Sequence, residues 1–578
     1  MAGLAAAFGS GAMTNSISEI RDARVIFVIG SNTTEQHPMI GMHMLEAKDR
    51  GATLIVADPR RTQIAQFSHL HLRHKSGTDV ALLNAIMNVI ITEWLVDLSF
   101  IRQRTELIGY DLPPGEEYVD LSFIRQRTEN FDDFEKRILP YTPEVAERIT
   151  SVPAEDIRKA ARLYASEKRS MLFYAMGITQ HITGVDNVRA CANLVMLTAH
   201  IGQPMTGLNP LRGQNNVQGA CDMGALPDVY SGYQKVADPA ARRKFELAWS
   251  RPLPDKPGIT LTEMVDAILS GKIRAMYIMG ENPLIADPDM THVKKAFAKL
   301  DFLAVQDIFP TDTTEYAHVI LPASSFAEKY GTFTNTERRV QKIRRAVPPP
   351  GEAKPDYEII CNLSKLMGYP MEYREAHEIM EEISILTPAY GGILHHRLNA
   401  NYGLQWPCPN IDHPGTTYLH QKKFSRGMGV FIPVEFIPPS EPTDSEYPFI
   451  LTTGRSYFHY HTGTMCRRTA ALEREDPECL VEINPVDAGR LGLRSNERVR
   501  IRTRRGSIEV KAFVTDTVPE GIIFIPFHFR EAAVNLLTIN AVDPNAKIPE
   551  FKVCAAAVEP LKRKAGVIQE SRGVISTA

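Results

Sequence analysis

Residues 212–224 read Arg-Gly-Gln-Asn-Asn-Val-Gln-Gly-Ala-Cys-Asp-Met-Gly, and neither a helical nor a strand pattern of burial accounts for them. The string combines amide side chains, three glycines and one arginine, and it has almost nothing to fill a core. Amides offer donors and acceptors together, glycines let a ligand approach the backbone, and an arginine is a planar fork for a carboxylate or a phosphate. Taken alone, the string could equally be a polar turn between domains, so the rest of the chain must decide.

The composition is that of an ordinary soluble globular protein. The chain has 578 residues, of which 44% are apolar and 23% are charged, and this length predicts about three or four domains. A net charge of −3 gives no electrostatic reason to expect nucleic acid or an anionic membrane as a partner. No apolar run approaches the roughly 18 residues that span a bilayer. The apolar start, Met1 to Gly11, lacks the basic segment of a signal peptide.

The seven cysteines lie far apart, and no two of them form a Cys-x-x-Cys pair. Their spacing argues against a cysteine-based zinc site, an iron–sulfur site or a disulfide framework within this chain. Reduced and mostly buried thiols in a cytoplasmic protein fit this distribution best. The cysteines are Cys191, Cys221, Cys361, Cys408, Cys466, Cys479 and Cys554.

The first part of the chain alternates strands and helices. A strand at Val25–Ile29 ends at Gly30-Ser31-Asn32, a helix covers about Pro38 to Arg50, and a second strand at Thr53–Ala57 ends at Asp58-Pro59-Arg60. Thr78 or Asp79 is the predicted N-cap of an apolar helix from Val80. Such alternation predicts a parallel sheet with helices on both faces, which binds ligands at the carboxyl ends of its strands. No Gly-x-Gly-x-x-Gly or Walker-type loop follows a strand, so a standard NAD or ATP site is unsupported.

The same pattern continues and then restarts after residue 257. A strand at Met171–Ala175 ends in a polar cluster at Met176–His181, and a small-residue helix follows from about Val185 to Ile201. A helix at Leu261–Leu269 then precedes a second set of strands, which are Ala275–Met279, Phe302–Val305 and His318–Leu321. Two doubly wound sheets with polar clusters at their strand ends predict the two halves of one large cleft.

The last 140 residues or so predict a small β-barrel. A helix near Tyr357 to Met367 is followed by irregular sequence to about Ser440. Short strands then appear at Phe449–Thr452, Val499–Thr503, Ser507–Val514 and Ile522–Ile525, which is typical of a barrel. The tail from Phe527 to Lys552 is rich in hydrogen-bonding groups and has little core pattern.

Two charged features have competing interpretations. His69, His71 and His74 alternate with leucines and could form a metal cluster, but the spacing supplies no carboxylate or thiolate partner, which favours partly buried strand histidines. Lys342, Arg344 and Arg345 form a basic run that could contact nucleic acid. The net charge and the lack of flanking aromatic residues argue against that interpretation.

An internal repeat interrupts the first part of the chain. Val96–Glu106 recurs without a change as Val119–Glu129, which indicates a recent tandem duplication of 23 residues or an error in gene assembly. We expect one copy to lie outside the packed body, in a loop that contains Leu112-Pro113-Pro114-Gly115.

The string at 212–224 closely resembles the active-site segment of molybdopterin-dependent formate dehydrogenase catalytic subunits. Gly11–Asn15, Val305–Asp307, Gly331–Gln341 and Asn535–Lys552 share this resemblance, which covers essentially the whole chain. It implies an α/β fold with two Rossmann-like domains around a cofactor cleft, closed by a C-terminal β-barrel of the double-psi type. It also implies a bis(molybdopterin guanine dinucleotide) cofactor that carries molybdenum or tungsten, and oxidation of formate to carbon dioxide with two electrons passed on to an iron–sulfur cluster.

The resemblance also assigns site residues. Arg212 would clamp the formate carboxylate beside the metal, and Gln214 would help to position it. One guanine dinucleotide would be lined by Gly30, Asn32, Glu35, Asp58, Arg60, Gly77, Asp79, Met176, Gly177 and Gln180. The other wall of the cleft would be formed by Gly280, Glu281, Asn282, Gln306 and Asp307. The barrel would close over the pterins with Thr453, Gly454, Arg455, His461, Thr462, Asn535, Asn540 and Lys552.

The sequence also departs from the family pattern. Members carry an N-terminal four-cysteine segment for a [4Fe–4S] cluster and a cysteine or selenocysteine metal ligand, and this sequence shows neither. We expect a chain that starts just after a selenocysteine codon, that lacks part of one Rossmann-like domain, and that is inactive alone. The expected units are 1–214, 215–326 (the second α/β domain), 327–425 (irregular) and 426–578 (the barrel).

Three alternatives stay open at this stage. They are another molybdopterin oxidoreductase such as a nitrate reductase, a non-catalytic scaffold of the same fold, and a remnant that does not fold. The expected partners are formate, carbon dioxide and iron–sulfur subunits, together with a flavin and NAD subunit or a hydrogenase. The expected location is the cytoplasm, or the periplasm if a longer N-terminus carried an export signal.

Overall fold

The first sheet is built around the strand Val25–Ile29, whose five residues are all buried. The computed structural model describes residues 1–93, 121–399 and 402–561. A continuous run of β-branched and aromatic residues suits a parallel strand that is covered on both faces, and Val-Ile-Phe-Val-Ile is such a run. The five strands are all parallel and lie in the order Leu70–Leu72, Thr53–Ala57, Val25–Ile29, Ser170–Tyr174 and Leu208–Pro210.

Alternate residues of the central strand pack into two different cores. Phe27 and Ile29 belong to a large apolar cluster on one face, and Ile26 and Val28 belong to a second cluster on the other face. This alternation is what a strand with a two-residue side-chain period produces. The first face is covered by the helices Asp79–Thr92, Phe131–Ile138, Ala154–Ala165 and Gly184–Leu197. The helix Pro38–Asp49 covers the second face.

A second, smaller parallel sheet follows the predicted restart of the pattern. Its three strands lie in the order Val319–Pro322, Phe302–Asp307 and Ala275–Met279. The helices Leu261–Leu269 and Met290–Phe297 pack on it through an apolar cluster that includes Ile278 and Leu303. Met279 and Ile320 are 52% and 51% exposed, so this sheet is covered less completely than the first.

An irregular region connects the second sheet to the barrel. It contains a three-stranded antiparallel sheet of Gly331–Thr334, Arg339–Ile343 and Leu404–Gln405. The further α-helices are Ala2–Phe8, Thr33–Gln36, Gln63–Gln66, Leu121–Arg127, Pro143–Thr150, Met176–Thr179, Val217–Asp222, Pro239–Trp249, Pro283–Ala286, Asp356–Leu366, Ala376–Leu386, Ala470–Glu475 and Pro485–Leu491. Within the described ranges, no helix combines the length and the apolar character needed to cross a membrane.

The C-terminal part forms a closed six-stranded barrel, as the sequence predicted. Its strands follow one another around the barrel as Phe449–Gly454, Ile522–Pro526, Leu480–Ile483, Ser507–Val514, Arg498–Arg502 and Cys554–Pro560. The barrel encloses its own apolar cluster, which includes Leu451, Val481, Val499 and Ile523. Closure of the barrel leaves no strand edge unpaired. The first barrel strand ends on the side of the barrel that faces the first sheet.

The second copy of the internal repeat lies inside the packed body. Its residues form the helix Leu121–Arg127 and the short strand Thr128–Glu129, which pairs with Gly429–Val430. Phe123 and Ile124 are buried in the large apolar cluster. The first copy and the predicted loop at Leu112–Gly115 lie outside the described residues.

Candidate active site

A cavity of about 230 Å³ lies between the carboxyl edge of the first sheet and the barrel. Three sheet strands contribute the residues that follow them: Gly30 and Asn32, then Asp58 and Arg60, then Met176, Gly177 and Gln180. The predicted residues that line the cavity from the barrel side are Thr453, Gly454, Arg455, His461, Asn535 and Lys552. Gly77 and Asp79, at the start of a long helix, and Gln214 complete the predicted set in this wall.

Two glycines allow the ends of neighbouring strands to meet in the cavity wall. The amide of Gly177 donates to the carbonyl of Gly30 at 3.0 Å. A Cβ atom on Gly177 would lie 2.4 Å from that carbonyl oxygen, and Gly30 itself has a φ of +58°. A side chain at Gly177 would therefore push the two strand ends apart, which explains why both positions are glycine.

Three cationic side chains make the cavity suitable for an anionic ligand. Arg60 stacks over Phe524 at 3.5 Å and makes a two-point contact with Glu482 at 2.7 and 3.0 Å. Arg455 donates to the carbonyl of Gly213 at 3.3 Å, and Lys552 donates to the carbonyl of Thr453 at 2.6 Å. Burial lowers the pKa of Lys552 to about 8, although the carboxylate of Asp58 opposes that fall. A bound phosphate would stabilise the charged forms of these groups.

Several polar atoms around the cavity are buried without a hydrogen-bond partner in the described part of the chain. They are Asn32 Oδ1, Arg60 Nε, Thr62 Oγ1, His181 Nδ1 and, just beyond the wall, Ser456 Oγ. Unpaired buried polar atoms are rare because each costs about 1–3 kcal/mol. Their concentration here fits a cavity that is completed by a polar ligand.

A buried ion pair lies beside the helix start that forms part of this wall. His74 Nε2 lies 3.0 Å from Asp79 Oδ1, and both side chains are almost completely buried. Burial alone would lower the pKa of His74, but the carboxylates of Asp79 and Asp58 raise it overall. Burial would raise the pKa of Asp79, but the charge and hydrogen bond of His74 lower it overall. Asp79 is therefore held by a buried partner, His74, a role that the sequence did not predict.

The three alternating histidines have separate partners. His69 Nδ1 accepts from the amide of Leu54 at 3.0 Å, and His71 Nε2 lies 2.9 Å from the carbonyl of Asp58. Together with the His74–Asp79 pair, these contacts hold the strand Leu70–Leu72 at the edge of the sheet. Only His71 lies in the strand Leu70–Leu72, with His69 directly before the strand and exposed, and His74 two residues after it and buried.

The segment at 212–224 links the barrel to the antiparallel sheet. The amide of Asn215 donates to the hydroxyl of Tyr460 at 2.8 Å, on the barrel side. Asn216 has a φ of +58°, and its side-chain oxygen accepts from the amide of Thr334 at 2.8 Å. These contacts place Gln214 in the cavity wall. The polar residues therefore close the site, which a simple interdomain turn would not require.

Arg212 lies beside the cavity and is oriented by its own helix. Its Nε donates to Gln218 Oε1 at 3.2 Å, and Nη2 donates to the carbonyl of Gly11 at 2.8 Å. The amide of Gln218 in turn donates to Asp222 Oδ1 at 2.7 Å. Within the described residues Nη1 of Arg212 makes no hydrogen bond, so one face of the fork stays available for a small carboxylate.

Asp222 is the buried centre of this network. It accepts four hydrogen bonds, from Gln218, Tyr233, Tyr390 and Trp406, at 2.6 to 2.7 Å. Burial raises the pKa of Asp222, and these hydrogen bonds oppose the rise. Three donors from other segments, Tyr233, Tyr390 and Trp406, therefore fix the helix that carries Gln218 and, through it, the guanidinium of Arg212.

The second predicted wall is present in the fold but does not line this cavity. Gly280, Glu281, Asn282, Gln306 and Asp307 do lie at the carboxyl ends of strands in the second sheet. Asn282 Oδ1 accepts from the hydroxyl of Thr313 at 2.8 Å, and the amide of Gln306 donates to Asp356 at 2.7 Å. Glu35, Thr462 and Asn540 also lie away from the cavity wall.

Asn535 is the predicted residue that connects the two halves of the cleft. Its side-chain amide donates to the carbonyls of Ile285 and Ala286 at 2.8 and 3.1 Å, while the residue itself lines the cavity. The second sheet is thereby joined to the barrel side of the site.

Other residues of the site gave no signal in the sequence. Phe524, Phe527 and Phe551 line the cavity, and each looks like an ordinary apolar residue of the barrel region. Arg338 lies in the segment Gly331–Gln341, where its structural role had not been predicted: it is 0% exposed and donates to five backbone carbonyls, those of Met13, Thr14, Trp406, Thr416 and Thr417. Arg338 therefore joins the start of the chain to the connecting region.

Comparisons with known proteins identify the family of the chain. A family model described as molybdopterin oxidoreductase matches residues 3–366, and one described as molydopterin dinucleotide binding domain matches residues 449–555. The F420-dependent formate dehydrogenase 1 subunit alpha of Methanococcus maripaludis is 47% identical, over 97% of this chain and 80% of the relative. Formate dehydrogenase H of Escherichia coli is 40% identical, over 97% and 76%.

Two further likenesses define the limits of the comparison. The assimilatory nitrate reductase catalytic subunit of Bacillus subtilis is 37% identical, over 95% of this chain and 76% of the relative. Among solved structures, acetylene hydratase from Pelobacter acetylenicus superposes with a TM-score of 0.74 at 19% identity, covering 97% of this chain and 80% of that one. At that identity the likeness concerns the fold alone.

Proposed function

The chain belongs to the molybdopterin oxidoreductase family, and from that premise we propose that it is the catalytic subunit of a formate dehydrogenase. The reaction is the oxidation of formate to carbon dioxide, with release of one proton and two electrons. The observation that carries the proposal is the placement of Arg212 and Gln214. Arg212 lies beside the cavity, and Nη1 of its guanidinium makes no hydrogen bond within the described residues. Gln214 lies in the cavity wall.

The proposed cofactor is bis(molybdopterin guanine dinucleotide) with molybdenum or tungsten. The chain carries a molybdopterin dinucleotide binding domain at 449–555. In the cavity, Arg60, Arg455 and Lys552 would neutralise phosphates, and the unpaired Asn32 Oδ1 and Thr62 Oγ1 would gain partners. When bound, the cofactor would supply a metal centre able to take up the two electrons.

The residues of this chain would bind and orient the substrate. The guanidinium of Arg212 would receive the formate carboxylate, and its hydrogen bonds to Gln218 and Gly11 would fix its direction. Gln214 would add an amide donor from the cavity wall. A pre-oriented cation costs little reorganisation during the reaction, which is how a fixed charge contributes to catalysis.

The proposal does not assign the electron acceptor or the ligand of the metal to the residues described above. None of the seven cysteines is among the described residues that line the cavity, and six of them are buried. On this proposal, the thiolate or selenolate ligand of the metal, the [4Fe–4S] cluster and the electron-transfer subunits come from elsewhere in the enzyme. Experiments should therefore use the enzyme purified from its native cells.

The test compares Arg212→Lys with wild type in anaerobic assays of formate oxidation with a viologen dye. Lysine keeps the charge but loses the fork, so we expect at least a tenfold loss of kcat/KM for formate, which corresponds to about 1.4 kcal/mol. Arg242→Lys, on the distant helix Pro239–Trp249, is the matched control and should keep full activity. Unchanged kinetics in Arg212→Lys would overturn the assignment.

Nitrate reduction is the second candidate, because a nitrate reductase subunit is among the relatives. The same preparation should be assayed for nitrate with a reduced viologen. Turnover of nitrate without oxidation of formate would favour this candidate over the first.

A further inference from the structure

Two buried histidines and an aspartate meet outside the cavity. His459 follows the first barrel strand, Asp476 follows the helix Ala470–Glu475, and His528 follows the strand Ile522–Pro526. One ligand atom from each residue can be chosen so that all three lie within 4.8 Å of one another. The imidazole rings of His459 and His528 lie 4.4 Å apart between centroids, and His528 Nε2 lies 3.8 Å from Asp476 Oδ2.

The hydrogen bonds of these histidines are incomplete. His459 Nε2 lies 2.8 Å from the carbonyl of Asp476, whereas its Nδ1 is buried without a partner in the described residues. Both ring nitrogens of His528 are buried without a partner there, although the residue is only 1% exposed. An imidazole with one nitrogen bonded to a carbonyl and the other free has the arrangement of a histidine that ligates a metal.

The surrounding charges favour a divalent cation. Arg467 contacts Glu473 and Glu531, with distances of 2.7 to 3.1 Å, so the arginine is already neutralised. The four charged groups Arg467, Glu473, Glu531 and Asp476 sum to −2, because one positive charge is set against three negative ones.

We infer that His459, Asp476 and His528 form a structural site for a divalent transition-metal ion of the zinc type. Two imidazoles and one carboxylate are ligands that zinc accepts, and a water molecule would complete four-coordination. Adjacent ligand atoms around zinc lie about 3.4 Å apart, so the three side chains need to close by roughly 1 Å.

This ion would stiffen one wall of the cofactor cavity. His461 and Phe527, two residues from His459 and one from His528, line that cavity. The ion would tie the segment after the first barrel strand to the segment after the strand Ile522–Pro526. The site is separate from the cavity itself, because none of its three ligands lines the cavity wall.

The test is metal analysis of the native enzyme and of variants made at its own locus. Zinc, molybdenum and tungsten are counted per chain by mass spectrometry after dialysis against a weak chelator. We expect wild type to hold one zinc more than Asp476→Asn and His528→Gln. The matched control is His292→Gln, because His292 also lies 2.9 Å from a carboxylate, that of Asp266, but forms no three-ligand group. This control should keep the wild-type zinc content.

Equal zinc content in wild type and in both cluster variants would overturn the inference. If His528→Gln yields no folded enzyme, Asp476→Asn decides alone, because Asp476 is partly exposed and asparagine has the same shape. Replacement by cobalt(II) is the second measurement. Wild type should show the visible absorption of a four-coordinate cobalt site, and Asp476→Asn should lose it. The same cobalt spectrum in both proteins would also overturn the inference.

Discussion

Asp222→Asn tests whether the buried network holds Arg212 in place. In wild type the carboxylate accepts two hydrogen bonds on each oxygen, from Gln218 and Tyr233 on Oδ1 and from Tyr390 and Trp406 on Oδ2. Asparagine offers one oxygen and one NH₂ group, so two of the four donors lose their acceptor. Tyrosine hydroxyls can rotate to accept, but the indole N–H of a tryptophan only donates.

The cost follows from the value of each hydrogen bond. A hydrogen bond to a charged group contributes about 1.5–3 kcal/mol, so two lost bonds cost about 3–6 kcal/mol. Asparagine also avoids the cost of burying a charge, which offsets part of this loss. The net loss in the free energy of unfolding is then about 2–4 kcal/mol. Because about 1.4 kcal/mol is a factor of ten, thermal inactivation should accelerate by about 30-fold to about 700-fold when the whole loss falls on the unfolding rate. The KM for formate should also rise, since Gln218 orients Arg212.

The assays are the rate of irreversible inactivation at fixed temperature and steady-state formate kinetics. Asp228→Asn is the matched control. Asp228 pairs with Lys235 at 2.6 Å, but both side chains are more than 40% exposed, and such a surface pair contributes less than about 1 kcal/mol. An inactivation rate and a KM in Asp222→Asn that equal those of the control would refute the reasoning.

Three further predictions concern the site and its supports. The fold raises the pKa of His74 above its ordinary value of 6.5, so the stability of the protein should fall as pH rises through that pKa. Melting temperatures measured from pH 6 to 9 should show this fall in wild type and not in His74→Gln. Gly177→Ala should lower pterin content severalfold, measured by fluorescence of the oxidised pterin, because its Cβ would lie 2.4 Å from the Gly30 oxygen. Arg338→Lys loses at least two of five buried hydrogen bonds, which should lower the free energy of unfolding by at least about 3 kcal/mol. The variant should show a lower melting temperature or be insoluble, and a normal melting temperature would contradict this prediction.

Three strands of the two parallel sheets were predicted to the residue because a short stretch of sequence is enough to identify them, whereas Leu208–Pro210 was not predicted. The runs Val25–Ile29, Thr53–Ala57 and Ala275–Met279 form strands with the predicted bounds. Mostly apolar runs of five residues that end at glycine or Asp-Pro identify strands of a parallel sheet, although of these three only the first two are buried on both faces. The carboxyl-end positions of Asn32 and Asp58 then followed from the topology.

Two barrel strands were missed because their local signal is weak. Cys554–Pro560 is rich in alanine, which has low strand propensity, and Leu480–Ile483 has only four residues. Both pair only with strands that are distant in sequence. Their place in the barrel depends on closure of the whole sheet, which no short window of sequence contains.

The residues of the candidate site also fall into two groups, those that the sequence predicted and those that it did not. Most of the predicted lining residues follow a strand of the first sheet, whereas Thr62, His74 and Phe524, which also line the cavity, were not predicted to do so. The cluster of His459, Asp476 and His528 was also not predicted from the sequence. The spacing of cysteines can indicate only those metal sites that use thiolate ligands. Asp222 lies inside the string 212–224, but three of its four partners come from other segments, up to 184 residues away.

Conversion of ¹³C-formate to ¹³CO₂ by the native enzyme, with pterin and metal content measured in the same samples, tests the central claim most directly. We predict that wild type and Arg212→Lys hold equal amounts of cofactor, and that Arg212→Lys loses at least nine-tenths of the rate of ¹³CO₂ formation. Equal rates in the two proteins, or no ¹³CO₂ from fully loaded wild type, would contradict the claim that this cavity and its arginine oxidise formate.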